Sequence, residues 1–413
     1  MSPRILRRAG IFAALLTMGT LLPAAPTPAP EAPPPSRPTA LAEPPLWPIG
    51  LRLPDALLDA KAAAKTDRPA DVWVWTPPGA KRVRALLLVV NNTDSKNFHE
   101  YAALRAAATR HEAAVIFFRA FHTGIEYHHQ KPTETPPTAP GNILAVLRWI
   151  AGETGIAEIE HAPWITFGKS SRGEFPFRMG WLYPERTIAG ITYHGESPTW
   201  PIPAYAKPQD QTILYVCANG QEEWDGTWYR HVRPSLLNYR TRTAWLPHQV
   251  VGYGVGHGNY TDAHGKPGWG QPVPEGTTSV LRIWDYLALF TDKALTLRLP
   301  REGYPTRAPL TLRPLDPNSG YLIHPRAIET LLALPWMALR SGEGIHQTIP
   351  WPDEKHPVLD TEQGRIAPEL LIRRAAAVPE ANRTGYLWIA DREMVEAWLQ
   401  LHNVKSLPVP IPE

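Results

Sequence analysis

Short apolar runs alternate with amphipathic segments along most of the first 290 residues of this chain. The runs that we predict to be strands cover residues 71–76, 84–90, 114–119, 164–167, 187–193, 212–217 and 243–251. The segments that we predict to be helices cover residues 99–111, 142–152, 174–182, 228–239 and 277–290. Apolar strands that alternate with helices are typical of a mostly parallel sheet with helices on both faces. The pattern therefore predicts an α/β fold.

The N-terminal segment has the features of an export signal. Arg4, Arg7 and Arg8 precede a short apolar stretch at residues 11–22, and small residues follow it. A membrane-spanning helix needs about 20 apolar residues, so this stretch predicts a signal peptide over residues 1–25 instead. We expect an exported protein, periplasmic or extracellular, with no stable membrane insertion after the signal is cleaved.

Three further regions follow the predicted signal. Residues 26–48 are rich in proline and alanine, which predicts an extended linker. Residues 49–297 hold the alternating pattern and are predicted to form the α/β domain. The pattern stops after that, and residues 298–413 are predicted to be a C-terminal extension with short strands and a terminal helix. The predicted strands of the extension cover residues 310–315 and 321–323, and Asp391 is the predicted N-cap of its helix.

Composition narrows the class of partner. The 42 lysine and arginine residues against 39 aspartate and glutamate residues give a formal net charge of +3, and the sequence has no long basic run. Because nucleic-acid binding needs a clustered basic face, we expect no nucleic-acid partner. Cys217 is the single cysteine, which rules out a disulfide framework. The sequence leaves the oligomeric state open.

The sequence GKSSRG at residues 168–173 lies between a predicted strand and a predicted helix. A serine at a sharp strand-to-helix turn can act as a nucleophile, and the helix N-terminus behind it favours a developing oxyanion. Gly168 precedes Ser170 by two residues, as the G-x-S-x-G pattern requires, so Ser170 is the preferred nucleophile. Ser171 is the alternative, since a glycine follows it by two residues. Arg172 stands where the pattern around Ser170 has its second glycine.

A serine nucleophile needs a base, and the base needs an acid that orients it. When the serine comes first in the chain, the acid follows a later strand and the histidine comes last. Glu223 lies three residues after a glycine beyond the strand at 212–217, so it is the preferred acid. Asp225 is the main alternative, and Glu222 is the third candidate.

His257 lies between two glycines after the last predicted strand of the domain, which makes it the preferred base. His194 and His264 are the other candidates. His194 ends the strand that follows the serine helix, so we expect it to line the substrate pocket.

The predicted oxyanion hole combines the backbone N–H of Ser171 with a donor from the loop after the strand at 84–90. Thr93 is the preferred second donor and Asn92 the alternative. Flat aromatic side chains on loops near the site could stack on a sugar ring or a polymer chain, although tryptophan is also common in cores. The residues predicted to contact the substrate are Asn92, Arg172, His194, Trp200 and Trp224.

These motifs resemble those of secreted α/β-hydrolases of the esterase and polyhydroxybutyrate-depolymerase-like kind. The resemblance covers residues 91–262 and rests on FGKS at 167–170, YPER at 183–186, GQEE at 220–223 and GHG at 256–258. It implies an α/β-hydrolase fold, a Ser-His-acid mechanism through an acyl-enzyme, and no cofactor. The chain departs from the family at Arg172, at Asn91 and Asn92 where His-Gly is common, and at Glu223 where aspartate is commoner.

The sequence therefore predicts an exported serine hydrolase that cleaves carboxylic esters, on a small molecule or on a polymer such as a decorated polysaccharide. Neither a cofactor nor a metal is expected, since no H-E-x-x-H motif occurs. Two alternatives remain open. One is a non-catalytic binding protein on the same scaffold, with Arg172 blocking the turn or binding an anion. The other is a serine peptidase, which the same triad would support.

Overall fold

The computed structural model describes residues 49–58, 70–90, 92, 98–118, 143–195, 202, 206–221, 223, 227–257, 278–332 and 366–413. The predicted signal peptide and linker at residues 1–48 lie outside the described residues. The described residues all belong to one compact unit. Among the described residues, no helix is both long enough and apolar enough to cross a membrane.

Two sheets and a set of helices make up the described part of the chain. The strands are β1 (Ile49–Leu51), β2 (Val72–Trp75), β3 (Ala85–Val90), β4 (Ala113–Phe118), β5 (Trp164–Lys169), β6 (Thr187–Tyr193), β7 (Leu214–Gly220), β8 (Leu246–Gly252), β9 (Tyr321–Ile323), β10 (Ile372–Arg374) and β11 (Leu387–Ile389). The helices are α1 (Ala102–Arg110), α2 (Ile143–Thr154), α3 (Glu158–His161), α4 (Phe175–Leu182), α5 (Arg233–Arg242), α6 (Val280–Arg298), α7 (Ala327–Leu331), α8 (Pro368–Leu371), α9 (Glu380–Arg383) and α10 (Arg392–His402).

The large sheet has the strand order β1-β2-β4-β3-β5-β6-β7-β8. β1 and β2 pair antiparallel with their neighbours, whereas the strands from β4 to β8 pair in parallel. This order, with an antiparallel β2, is that of the α/β-hydrolase fold, and the predicted fold class is confirmed. β1 is an addition that the sequence analysis did not predict.

Alternate residues of the central strands enter two cores, one on each face of the sheet. In β3, Leu87 and Val89 pack in the same core as α1 and α6. Leu86 and Leu88 pack in the core that holds α2. Both faces are thus covered by helices, which explains why these strands are apolar at every position.

The C-terminal region packs against the last strand of the large sheet. β9, β10 and β11 form a small antiparallel sheet in the order β10-β9-β11. The indole Nε1–H of Trp398 donates to the carbonyl oxygen of Gln249 at 2.7 Å, and the backbone N–H of Val251 donates to Nε2 of His402 at 2.8 Å. Both backbone groups belong to β8, which ends the sheet. Two side chains of α10 therefore satisfy backbone groups of the edge strand, and helix α10 covers that edge.

A predicted strand of the C-terminal region and a predicted helix of the α/β domain differ from the structure. Residues 310–315 form no strand. Leu310, Leu312 and Leu315 pack individually against the core, and the backbone N–H of Arg313 donates to the carbonyl of Arg298 instead of to a neighbouring strand. The helix predicted at 277–290 extends over Val280–Arg298, because the apolar face continues after its predicted end.

Candidate active site

Five polar side chains follow five adjacent strands of the large sheet, each just after the strand ends. Asn92 follows β3, Ser170 follows β5, His194 follows β6, Glu223 follows β7 and His257 follows β8. These strands are parallel and neighbours in the order β3-β5-β6-β7-β8, so their carboxyl ends meet at one edge of the sheet. This is the edge at which ligands bind in open α/β sheets.

Ser170 lies at the tip of a tight turn between β5 and α4. Its φ is +53°, in the left-handed region that side chains other than glycine rarely adopt. A single 3₁₀ turn, Ser170–Arg172, connects the strand to the helix. Ser170 is half-buried, so the turn presents its hydroxyl at the sheet edge.

Close backbone contacts hold this turn. A Cβ on Gly168 would lie 1.9 Å from the carbonyl oxygen of Arg172, so only glycine fits there. A Cβ on Gly173 would lie 2.8 Å from Thr192 Cγ2 and 3.1 Å from the Cα of Gly195. The second close approach thus falls three residues after Ser170 instead of two. Arg172 can therefore occupy the position where the G-x-S-x-G pattern has glycine.

Hydrogen bonds connect the predicted nucleophile, base and acid. Ser170 Oγ lies 3.0 Å from Nε2 of His257, and His257 Nδ1 lies 2.6 Å from Oε1 of Glu223. The serine and the histidine are partly exposed, whereas the Glu223 side chain is 0% exposed. The structure thus brings together Ser170, His257 and Glu223 in the order that a serine triad requires.

The second oxygen of Glu223 is held from three sides. Oε2 accepts from the backbone N–H of Gly220 at 3.1 Å, and it lies 3.2 Å from Nδ1 of His194 and 3.5 Å from Nδ2 of Asn219. Burial alone would raise the pKa of Glu223, but His194 and His257 outweigh it and hold the pKa well below its usual range. The carboxylate is therefore ionised at neutral pH.

Asn92 connects the loop after β3 to the nucleophile turn. Its Nδ2 donates to the carbonyl of Lys169 at 2.8 Å and to Oγ of Ser171 at 3.3 Å. The Asn92 side chain is thus bound to protein groups on either side of Ser170. Thr93, the predicted second oxyanion donor, lies outside the described residues.

The remaining predicted site residues divide into three groups. His194 is fully buried behind Glu223, so the prediction that it lines the substrate pocket is corrected: it contacts the acid instead. Arg172 is half-buried in the 3₁₀ turn beside Ser170. The other predicted candidates lie outside the described residues: Trp200 and Trp224, the alternative acids Asp225 and Glu222, and the alternative base His264.

Tryptophans are mostly core residues where the structure describes them. Trp228 is fully buried, and its carbonyl accepts from Nε2 of Gln249 at 2.7 Å. Trp164, Trp181 and Trp245 are also fully buried. Most of the described tryptophans thus serve packing, while Trp73 and Trp149 are partly exposed.

A metal site was not expected, and the geometry of the donor groups favours hydrogen bonding. In the part of the chain that the structure describes, one group of three metal-type donors occurs, His194, Glu223 and His257. Two ligand atoms on one tetrahedral zinc ion lie about 3.3 Å apart, given metal–ligand distances of about 2.0–2.1 Å. His257 Nδ1 and Glu223 Oε1 are 2.6 Å apart, which is a hydrogen-bond distance.

The chain thus has an α/β-hydrolase fold, with a hydrogen-bonded serine, histidine and carboxylate at the carboxyl edge of its sheet. No family model matches the sequence, and no curated protein matches it either.

Solved structures similar to this chain include three hydrolases. An S-formylglutathione hydrolase from Agrobacterium tumefaciens is 12% identical, with 55% of this chain and 87% of that chain covered and a TM-score of 0.33. A poly(3-hydroxybutyrate) depolymerase from Bordetella parapertussis is 12% identical, with 57% of this chain and 88% of that chain covered and a TM-score of 0.33. A carboxylesterase from Bacillus cereus is 11% identical, with 54% of this chain and 93% of that chain covered and a TM-score of 0.32. The α/β-hydrolase fold of this chain follows from its own strand order.

Proposed function

We propose that this protein is a serine hydrolase that cleaves carboxylic esters, with Ser170 as nucleophile, His257 as general base and Glu223 as the orienting acid. One observation carries the proposal: Ser170, His257 and Glu223 are joined by hydrogen bonds of 3.0 and 2.6 Å at the carboxyl edge of the sheet. This is the arrangement that activates a serine hydroxyl for attack on an acyl carbon.

Each triad residue has a defined part in the proposed reaction. Ser170 Oγ attacks the ester carbonyl while its proton passes to Nε2 of His257. The imidazolium that forms is stabilised by the ionised Glu223 carboxylate next to Nδ1, and it then protonates the leaving alcohol. Water attacks the resulting acyl-enzyme with His257 again acting as base, which releases the acid and restores the serine.

The negative charge on the carbonyl oxygen needs donors beside Ser170. The backbone N–H of Ser171 is the first proposed donor, because it follows the nucleophile on a turn that leads into α4. The second proposed donor comes from the loop after β3, with Thr93 as the candidate. The bonds from Asn92 to Lys169 and Ser171 support this placement, since they hold the start of that loop against the turn.

Location and substrate class are further parts of the proposal. The export signal predicted at residues 1–25 supports action outside the cytoplasm. A small-molecule ester or a polymeric ester is the proposed substrate, and Trp200 and Trp224 are the proposed substrate contacts. No cofactor is needed for this chemistry.

Hydrolysis of matched 4-nitrophenyl esters and 4-nitroanilides tests the proposal. We expect ester turnover by the wild-type protein and a loss of about 10⁴-fold or more in kcat for Ser170→Ala. The neighbouring control Ser171→Ala keeps the backbone N–H of residue 171 and loses only the Oγ that accepts from Asn92, so its kcat should fall by no more than about 10-fold. Retention of activity by Ser170→Ala would overturn the nucleophile assignment. Preference for the anilides would indicate a peptidase, and inert folded wild type would indicate a binding protein on this scaffold.

A further inference from the structure

Glu223 contacts two histidines, one through each carboxylate oxygen. His257 lies 2.6 Å from Oε1, and His194 lies 3.2 Å from Oε2. The two rings are 5.8 Å apart between centroids and nearly perpendicular, with an interplanar angle of 80°. The triad thus has a fourth member on the side away from the serine.

The backbone fixes the point from which the His194 side chain extends toward Glu223. His194 has φ of +47°, and its backbone N–H donates to the carbonyl of Ala218 at 2.8 Å. Ala218 belongs to β7, the strand that leads to Glu223. Histidine, asparagine and aspartate tolerate a positive φ better than most residues. The strand end therefore directs the side chain toward the acid, and the contact of Nδ1 with Oε2 orients the ring.

We propose that His194 is a positioning residue for the ester hydrolase: its neutral ring donates the Nδ1–H to Oε2 of Glu223 and thereby directs Oε1 toward His257. This inference rests on the proposed function, and it assigns to His194 a part that acts through Glu223 and involves no contact with substrate. Glutamate has one more rotatable bond than the aspartate common in such triads, so its carboxylate needs an additional anchor to hold one orientation.

The charges around His194 support a neutral donor. Glu223, Lys169 and His257 are the titratable groups that interact with it. Burial lowers the pKa of His194 more than the Glu223 carboxylate raises it, and Lys169 and His257 lower it further. A neutral histidine beside an ionised carboxylate donates through the nitrogen that faces it, which here is Nδ1. The proton position thus follows from the 3.2 Å contact.

Two substitutions of equal size distinguish a hydrogen-bonding role of His194 from a role in packing alone. In His194→Asn, the side-chain amide overlaps the position of Nδ1, so the variant keeps a donor and tolerates the positive φ. In His194→Asp, a carboxyl group of the same shape faces Glu223, and two adjacent carboxyls share one proton with a raised pKa. Both variants are compared with wild type for kcat and KM across pH, with circular dichroism as the check of folding.

We expect His194→Asn to stay within about 3-fold of wild-type kcat at every pH. We expect His194→Asp to lose about 10–100-fold in kcat at pH 8 with little change in KM, and its kcat relative to wild type to rise as pH falls, because the shared proton restores a donor. A pH-independent ratio for His194→Asp, or equal losses in both variants, would contradict the inference.

The ring tautomer gives a second test that needs no variant to fold. In wild-type protein labelled with ¹⁵N-histidine, NMR should show the His194 proton on Nδ1; a proton on Nε2 alone would overturn the inference. Ester hydrolysis by the wild type is measured separately. An inert protein with the Nδ1–H tautomer refutes only the proposed function, whereas an active protein with the Nε2–H tautomer refutes only the part assigned to His194.

Discussion

Ser170 adopts an unfavourable backbone conformation, and its surroundings enforce that conformation. The φ of +53° costs roughly 1–3 kcal/mol for a residue other than glycine. The turn is closed by the backbone bond from Gly173 N–H to the Ser170 carbonyl at 2.8 Å. Gly168 lies against the same turn from the strand side. A small change at Gly168 should therefore move the nucleophile.

We predict that Gly168→Ala lowers kcat by at least about 100-fold and destabilises the protein by about 1–3 kcal/mol. The added Cβ would lie 1.9 Å from the Arg172 carbonyl oxygen, so the turn must shift. Gly152→Ala is the control, since its Cβ would meet nothing within 4 Å in helix α2. Alanine favours the helix there, which predicts unchanged kcat and a stability equal to wild type or about 0.5–1 kcal/mol higher. Steady-state kinetics and urea unfolding of both variants check this pair, and equal behaviour of the two would contradict it.

At the scale of single elements, α10 closes the open edge of the large sheet with two side chains one turn apart. Trp398 and His402 contact backbone groups of β8, the strand that leads to the loop of His257. His402 accepts the Val251 N–H through Nε2 and bonds the Trp398 carbonyl through Nδ1 at 2.7 Å. Protonation of Nε2 would therefore break the bond to β8.

This contact predicts an acid-sensitive contribution to stability. Burial lowers the pKa of His402 from 6.5 to about 3, against a smaller opposing effect of the bond to Trp398. Between pH 6.5 and about 3, the unfolded chain binds a proton that the folded protein excludes. The contribution is thus fully present above pH 6.5 and is lost as pH falls toward 3. Burial and the nearby His402 lower the pKa of His248 to about 3 as well. His248 therefore also makes the protein less stable as pH falls through this window.

We predict that His402→Gln reduces the slope of unfolding free energy against pH in that window by up to about 1.4 kcal/mol per pH unit, because glutamine accepts the Val251 bond without titrating. Trp398→Phe is the matched control, which removes the other β8 bond and no titratable group. It should lower stability at every pH and leave the slope unchanged. Urea unfolding from pH 4 to 8 measures both, and an unchanged slope for His402→Gln would contradict the prediction.

Some elements of the fold can be predicted from the sequence alone, and others cannot. The strands β2 to β8 are apolar at most positions because helices cover both faces, and this leaves a clear signal. Residues 310–315 also alternate apolar and polar side chains, but a strand needs a free edge to pair with, and sequence does not show which edges remain open. The packing of α10 against β8 could not be predicted from the sequence either, since it depends on contacts between residues that are far apart in the chain, such as 249 and 398.

From the sequence, the residues of the candidate site could be located on the loops that follow the strands. The order of serine, acid and histidine follows from the fold, so Ser170, Glu223 and His257 could be named. The preference for Glu223 over Asp225 and Glu222 rested only on its spacing from Gly220, because neighbouring acids on one loop look alike until the backbone directs them. The contact of His194 with Glu223 was missed for the same reason, although the position of His194 directly after β6 was a usable signal.

At the scale of the whole molecule, the C-terminal region shares one core with the α/β domain. A buried ion pair joins them: Arg233 Nη1 of α5 lies 2.6 Å from Glu329 Oε1 of α7, with side-chain exposures of 0% and 13%. Arg233 also lies over the ring of Trp228 at 4.8 Å. The region beyond α6 should therefore unfold together with the sheet and not as a separate domain.

We predict that Glu329→Gln destabilises the whole protein by about 3–5 kcal/mol, because it leaves the Arg233 guanidinium buried without its carboxylate. Glu185→Gln is the matched control. It removes one partner of the Lys207–Glu185 pair, whose side chains are 48% and 49% exposed, and should change stability by about 0–1 kcal/mol. Thermal unfolding should show a single transition in each protein. Two transitions, with only one moved by Glu329→Gln, would indicate that the C-terminal region folds on its own.

If Ser170 is an activated nucleophile, a reagent that reacts covalently with such serines should label it. The folded wild-type protein is treated with a fluorophosphonate probe, and the labelled peptide is identified by mass spectrometry, with Ser170→Ala and Ser171→Ala treated in parallel. We expect one phosphonylated residue, Ser170, with labelling abolished in Ser170→Ala and retained in Ser171→Ala. Absence of labelling in the folded wild-type protein, or a label that persists in Ser170→Ala, would contradict it.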